Sequence, residues 1–414
     1  MSRRTRPSRD QSTASCSSLV TRRGAMRFMA AGAALAACGA SARSAETLAP
    51  AGGPLKKRVK GRTIDVHAHP SPRGGGTAAE AAQDTAPVTA EERAAAIRRL
   101  TLYKPDQLAW DSPEQQDHYI RKYTLSQRHP RVAANYEENA AIFLAEMDAA
   151  GIDTSVILHI DFAAPILTDG PVDPSTERAM AGLAACAEVC QNHPGRFIPF
   201  AAIDMRRGPS GVALLERAVK EYGFQGCGEI VTTLWQTKPN DRSRAYPYYE
   251  ACAALDIPVV IDATMDRGFT QPELYEDVVR DFPKLPVCLG GAGLRVNPVK
   301  RAGAAPQAAY DRMLELAQEH ENIWLDLDDW QVADQAGMRR FLTYLRRALD
   351  GDARRKVMFG SDYPVFAWMF TEGEWVDRVL SNMDGGGVRF SDEELELFFS
   401  ANASDFLRLN KTSG

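Results

Sequence analysis

From residue 62 onward, short apolar runs alternate with longer stretches of helical periodicity. The runs read as eight strands, at 63–67, 155–159, 197–203, 226–230, 258–261, 286–289, 323–327 and 357–360. Between them, apolar positions recur three and four apart over 138–150, 176–191, 211–222, 247–255, 271–281, 307–319 and 338–349, the spacing of a helix with one buried face. Helices of this length alternating with short strands indicate βαβ units and a parallel sheet. Eight such units over about 300 residues fit a (β/α)8 TIM barrel, whose usual size is about 250 residues plus insertions. A doubly wound open sheet is the alternative. It calls for a glycine-rich phosphate turn after the first strand, and the chain has none there.

One segment breaks the rhythm. Residues 70–136 separate the first strand from its helix, beginning Pro70-Ser71-Pro72-Arg73-Gly74-Gly75-Gly76 and holding helix-like pieces around 89–102 and 113–127. An insertion that long in a compact domain is functional or disordered. Placed after strand 1, it would lie over the C-terminal mouth of the barrel, so it is expected to act as a lid. Two helical stretches, 374–383 and 392–409, close the chain and are expected on the outside of the barrel.

Composition is that of a globular protein, 44% hydrophobic and 25% charged over 414 residues. The basic residues are unevenly placed. Residues 1–43 hold eight arginines against Asp10, so the formal charge moves from −5 to −12 without them. An acidic mature chain argues against nucleic acid or an anionic membrane as partner. Thr21-Arg22-Arg23-Gly24-Ala25-Met26-Arg27, followed by the apolar run from Phe28 to Ala37, resembles a twin-arginine (Tat) export signal. That run is about half the ~20 residues a membrane span needs. Leu35-Ala36-Ala37-Cys38 resembles a lipobox that would leave a lipid on Cys38, and Ala40-Ser41-Ala42 offers a rival soluble cleavage site. The expected organisation is a signal and leader at 1–45, a linker at 46–61, and a barrel domain at 62–410. The expected location is the periplasm, soluble or as a lipoprotein. Five cysteines remain after the signal, an odd number with no spacing of a disulfide framework.

The chemistry-bearing residues sit at strand ends. In Ile64-Asp65-Val66-His67-Ala68-His69-Pro70 the two histidines are two apart, so they project to one face at the end of strand 1. Active sites of this fold lie at that end. Two convergent imidazoles suit a divalent ion such as zinc; the plainer alternative is a satisfied structural pair. Asp362 ends the run Val357-Met358-Phe359-Gly360-Ser361-Asp362 at the same mouth. There it can serve as metal ligand and general base towards a metal-activated water, or simply cap the following turn.

These motifs resemble the amidohydrolase superfamily, in its amidohydrolase-related branch of small-molecule hydrolases and nonoxidative decarboxylases related to aminocarboxymuconate-semialdehyde decarboxylase. The likeness runs from about residue 62 to 409. It includes Gly223-Phe224-Gln225-Gly226, Ile257-Pro258-Val259-Val260-Ile261, the Phe359-Gly360-Ser361-Asp362-Tyr363-Pro364 run and Asn402-Ala403. The resemblance implies a metal held by the strand 1 histidines, a strand 5 histidine and the strand 8 aspartate, with a strand 6 histidine assisting. The chain departs from it twice: the strand 5 position is Asp262 and the strand 6 position is Gly291. Strand 4 carries Glu229, which some relatives use as a ligand. The expected metal set is therefore His67, His69, Asp362, Asp262 and Glu229 around one divalent ion. Zinc or manganese leads, and the carboxylates tilt the choice towards the harder ions manganese, iron or magnesium.

Candidate substrate contacts lie in the neighbouring loops: His159, Arg267, Arg295, Trp235 and Trp330. Arginine forks suit a carboxylate and tryptophans can stack on a flat ring. Hydrolysis of a small amide, lactone or ester is the leading expectation. Decarboxylation of an aromatic or unsaturated acid, or ligand binding by a barrel that has lost catalysis, are the alternatives. A homo-oligomer acting on a small-molecule substrate is expected.

Overall fold

The computed structural model describes residues 54–70, 86–103, parts of 117–125, 136–264, 268–293, 307–328, 335–364, 371–382 and 388–409. The proposed signal, Cys38 and most of the linker lie outside them, as does most of the 70–136 insertion, of which the helix Ala90–Tyr103 is described. Among the described residues no helix is long and apolar enough to cross a membrane, and the five described cysteines form no disulfides.

Eight parallel strands form the centre: β1 Ile64–Ala68, β2 Thr154–Ile160, β3 Phe197–Ala202, β4 Cys227–Ile230, β5 Val259–Asp262, β6 Val287–Gly290, β7 Ile323–Asp326 and β8 Val357–Met358. They pair in chain order as β1-β2-β3 and β4-β5-β6-β7-β8. Backbone hydrogen bonds cross both seams. Ala201 N donates to Gly226 O (3.0 Å) and Gln225 N to Pro199 O (2.9 Å) between β3 and β4. Val66 N donates to Phe359 O (3.0 Å), joining β1 to the residue after β8. The helices Tyr136–Ala150, Glu177–Asn192, Pro209–Tyr222, Tyr246–Ala254, Pro272–Asp281, Gln307–Glu319 and Gln335–Asp350 separate successive strands. This is the expected TIM barrel, with strand bounds within a few residues of the apolar runs.

Alternation along each strand divides the core in two. Outward residues such as Ile157, Ala201, Val259, Ile261, Val287, Leu289, Leu325 and Val357 pack with the helices in one large cluster. Inward residues form a second: Ile64, Val66, Val156, Leu158, Ile198, Phe200, Val260, Cys288 and Met358. The end of the chain joins this second cluster. After Asp392–Glu396, opened by a Ser391–Glu394 capping box, the chain passes through the π turn Leu397–Ala401 into Asn402–Phe406. Ala403 and Phe406 pack with the inward residues, and the Phe406 ring lies 5.6 Å from that of Trp324. The expectation that this segment lies on the outside of the barrel holds for Leu395, Phe398 and Phe399, which pack in the outer cluster, and is corrected for its end. Its apolar face covers the N-terminal end of the barrel, where the inward side chains would otherwise meet water. Asn402 anchors it, donating to Val357 O (2.7 Å) at the start of β8 and to Arg354 O (3.0 Å) just before it.

Candidate metal centre at the barrel mouth

Strict alternation would turn His67 away from the axis, since Ile64 and Val66 both face inward. A register shift between Asp65 and Ala68 changes this: Asp65 pairs with Ser155 and Ala68 with Ile157, three steps on β1 against two on β2. Such a bulge re-aims side chains. Val66 and His67 both face in, Ala68 joins the outer cluster, and His69 follows His67 to the axis. The same device occurs in β4. Cys227 pairs with Val259 and Ile230 with Ile261, again three steps against two. Both flanking residues belong to the outer cluster, and Glu229 turns in.

The result is a tight group. Nε2 of His67 and Nε2 of His69 lie 3.1 Å apart. Glu229 Oε2 lies 3.6 Å from the first and 3.4 Å from the second, and Asp362 Oδ1 lies 4.0 and 3.5 Å from them. His69 Nδ1 faces Leu158 O at 3.0 Å, so it carries the proton and donates it. His67 Nδ1 faces Asp326 Oδ2 at 2.7 Å in the same manner. These outer partners direct the Nε2 lone pairs of both rings at one another, as in histidines that ligate metals. Two facing lone pairs beside two carboxylates make a point that favours positive charge. His67, His69 and Glu229 are close enough to share one ion, and their donor set fits a divalent one.

The protonation preferences agree. Burial works against charge on His67, but Asp328, Glu229 and Asp326 outweigh it and raise its pKa well above the usual value. His69 is raised too, its burial outweighed by the hydrogen bond and charge of Glu229 and by Asp362. Glu229 is held well below the usual carboxylate range by His67 and His69 despite its burial.

Asp362 is placed by its backbone. It sits at φ 51°, a left-handed conformation that Asp tolerates better than most residues, and its N–H donates to His67 O at 2.8 Å. Asp65, which the sequence reading passed over, ties this turn to β1. It accepts from Ser361 N (2.9 Å), Ser361 Oγ (2.7 Å) and His67 N (2.9 Å). Burial pushes its pKa up to about 6, against the lowering by those hydrogen bonds.

The other expected site residues lie elsewhere. Asp262 faces inward, but its Oδ1 accepts from Thr264 N (2.8 Å) and Thr264 Oγ1 (2.6 Å), and it stands outside the group that could share an ion with His67. Burial and then the charge of Glu229 push its pKa up to about 7. His159 faces the helix layer, where the Tyr136 hydroxyl bonds to its Nδ1 and Gly182 packs on its ring. Outward alternation on β2 puts it there. Trp235 is fully buried in the outer cluster and offers no open face for stacking. Arg267, Arg295 and Trp330 lie outside the described residues. Gly291 is where glycine is required: it sits at φ 65°, and a Cβ there would come 1.9 Å from Thr264 Cγ2 and 2.9 Å from Asp328 Oδ1. No histidine fits at that position. Asp326 and Asp328 were missed, although Asp326-Leu327-Asp328 shows at the end of β7 the spacing that marked the histidines.

Residues 64–409 match the amidohydrolase family profile. The chain belongs to the amidohydrolase family. This amidohydrolase is therefore a metal-dependent enzyme, from a family with hydrolases and decarboxylases in it. Over 285 residues it is 24% identical to the decarboxylase orsB of Emericella nidulans, covering 58% of this chain and 79% of the relative. An uncharacterised TIM-barrel protein of Bordetella bronchiseptica has the same fold (TM-score 0.50, 18% identity, 84% of this chain and 98% of that one). A 5-carboxyvanillate decarboxylase of Novosphingobium aromaticivorans, solved with manganese, matches at TM-score 0.46 and 17% identity over 84% and 96% of the two chains. An amidohydrolase of Burkholderia multivorans, solved with zinc, matches at 0.48 and 16% over 84% and 99%.

Proposed function

We propose that this amidohydrolase hydrolyses a small uncharged carbonyl compound, an amide, lactone or ester, with His67, His69, Glu229 and Asp362 holding one divalent ion. The observation that carries the reading is the convergence of two Nε2 atoms and Glu229 Oε2 at one point of the mouth, with Asp362 Oδ1 beside them at 3.5 Å from His69 Nε2 and 4.0 Å from His67 Nε2. An ion bound there supplies Lewis acidity, activating water and polarising the scissile carbonyl. The protein does the rest. Asp362, held rigidly against β1 by its backbone, takes the proton from the attacking water and returns it to the leaving group. The carboxylate-rich shell favours manganese over zinc, and relatives of the two kinds have been solved with manganese and with zinc.

Charge decides the substrate class. Among the described residues Glu229, Asp326, Asp328 and Asp362 are buried around two imidazoles, so one divalent ion leaves this group anionic even with Asp262 protonated. A neutral substrate enters such a site without Coulombic cost, whereas a carboxylate needs a cationic partner. Decarboxylation is the second reading, favoured by the likeness to the decarboxylase orsB; Arg267 and Arg295 would then have to supply that partner. The test is incubation of the manganese-loaded enzyme, in 18O-labelled water, with panels of neutral lactones, esters and amides and of aromatic acids. Labelled product without carbon dioxide release is expected. Carbon dioxide release with no label in the product overturns hydrolysis in favour of the second reading. We also propose export through the Tat route, from residues 21–37; fractionation that leaves the protein in the cytoplasm overturns it.

A further inference from the structure

His67 has two ring nitrogens, and the proposed reaction uses one. Its Nδ1 lies against the end of β7, 2.7 Å from Asp326 Oδ2 and 3.0 Å from Asp328 Oδ2. A single N–H is thus set between two carboxylates, an arrangement in which like charges crowd one another. Asp326 is 0% exposed and Asp328 1%. The second oxygen of each, Oδ1, is buried without a hydrogen-bond partner. Among the described residues neither aspartate is paired with a lysine or arginine, nor are Glu229 and Asp262. Buried carboxylates left without a countercharge are costly, and proteins pair them or give them a metal.

Glycine keeps the space for this group. A Cβ on Gly360 would come 2.2 Å from Asp326 Oδ1, and one on Gly291 2.9 Å from Asp328 Oδ1. The ligand atoms of His67, Asp326 and Asp328 lie close enough together to share one ion, and all three residues are buried.

We propose a second divalent cation site, held by Asp326 and Asp328 with His67 Nδ1 as third donor, so that the His67 ring bridges two ions. Coordination of Nδ1 releases its proton to solvent and turns the ring into a shared imidazolate. Two carboxylates and one nitrogen form a hard set, suited to manganese before zinc. Even with Asp262 protonated, the other four carboxylates and the imidazolate exceed the charge of two divalent ions among the described residues, so the preference for an uncharged substrate stands. The inference rests on the proposed function only in sharing His67, and it competes with a simpler role for Asp326, that of orienting the ring.

The experiment is elemental analysis of full-length protein saturated with manganese and freed of excess, for the wild type, Asp328→Asn and His69→Asn. The expected result is two ions per chain in the wild type and one in each variant. One ion in the wild type, kept in Asp328→Asn and lost in His69→Asn, overturns the second site and leaves the first intact. One ion lost in Asp328→Asn and kept in His69→Asn supports the β7 site and overturns the first. The wild type carries a second readout, of the bridged pair itself. Electron paramagnetic resonance of the manganese-saturated protein should show an exchange-coupled pair; an isolated-ion spectrum accounting for one ion per chain overturns the bridged pair, and its loss in His69→Asn with retention in Asp328→Asn overturns the β7 site.

Discussion

The two ends of the barrel are built from the same inward positions and have opposite chemistry. At the N-terminal end β5 offers Val260, β7 Trp324 and β8 Met358, sealed by Ala403 and Phe406. Two residues further along, β5 offers Asp262, β7 Asp326 and the chain just past β8 Gly360, beside the paired histidines at the end of β1. The closed end buries apolar surface and needs no partner for it. The open end gathers buried carboxylates whose charge has to be answered by protons or cations. Stability and function therefore occupy opposite ends of one set of strands, as this fold generally arranges them.

The largest expected effect that separates the ends is Asp362→Asn. It should lower turnover by about 10²–10⁴-fold with little change in melting temperature, since the backbone bond from residue 362 to His67 O remains. Steady-state kinetics beside a thermal melt checks it, and full retained activity sinks the base assignment. Phe406→Ala is the mirror experiment. It should cost about 3–5 kcal/mol in urea unfolding while the folded fraction binds as much manganese as the wild type; a loss of metal would show that the ends are not independent.

Gly291→Ala is smaller and tests the boundary between site and scaffold. The methyl meets Thr264 Cγ2 at 1.9 Å, so overpacking should cost about 1–3 kcal/mol, and a neutral result would mean that Thr264 and Asp328 move aside freely. The smallest effect is on pH dependence. Burial lowers the pKa of His159 from 6.5 to about 4, against the opposing charge of Asp161. Between those values the unfolded chain binds the proton that the folded one refuses, so the contribution of His159 to stability falls as pH drops from about 6.5 to about 4, while Asp65 and Asp262, raised to about 6 and about 7, work in the opposite sense. His159→Gln should flatten that slope in denaturant titrations; an unchanged slope assigns the acid sensitivity to other groups.

Much of this was legible in the amino-acid order. Short apolar runs and helical periodicity place the eight strands and the helices between them, because a strand of a barrel wall is buried on both faces. His67, His69, Glu229 and Asp362 are legible as polar residues that end apolar strands. Asp326 and Asp328 carried the same signal and were passed over, since carboxylates at strand ends are ordinary and only a partner gives them meaning. His159 and Trp235 look like mouth residues by their place in the chain, yet alternation and packing send them into the helix layer and the core.

What the sequence by itself determined is the barrel, its order of strands and the inventory of groups at its mouth. Only the tertiary structure decided which of those groups meet. One extra residue in β1 and one in β4 reverse the alternation at His67 and Glu229, and such a bulge depends on pairing with a strand distant in sequence. The second role of His67 was likewise out of reach of the sequence. Its Nδ1 meets Asp326 across 259 residues of chain, and only closure of the barrel brings β7 and β1 to face each other.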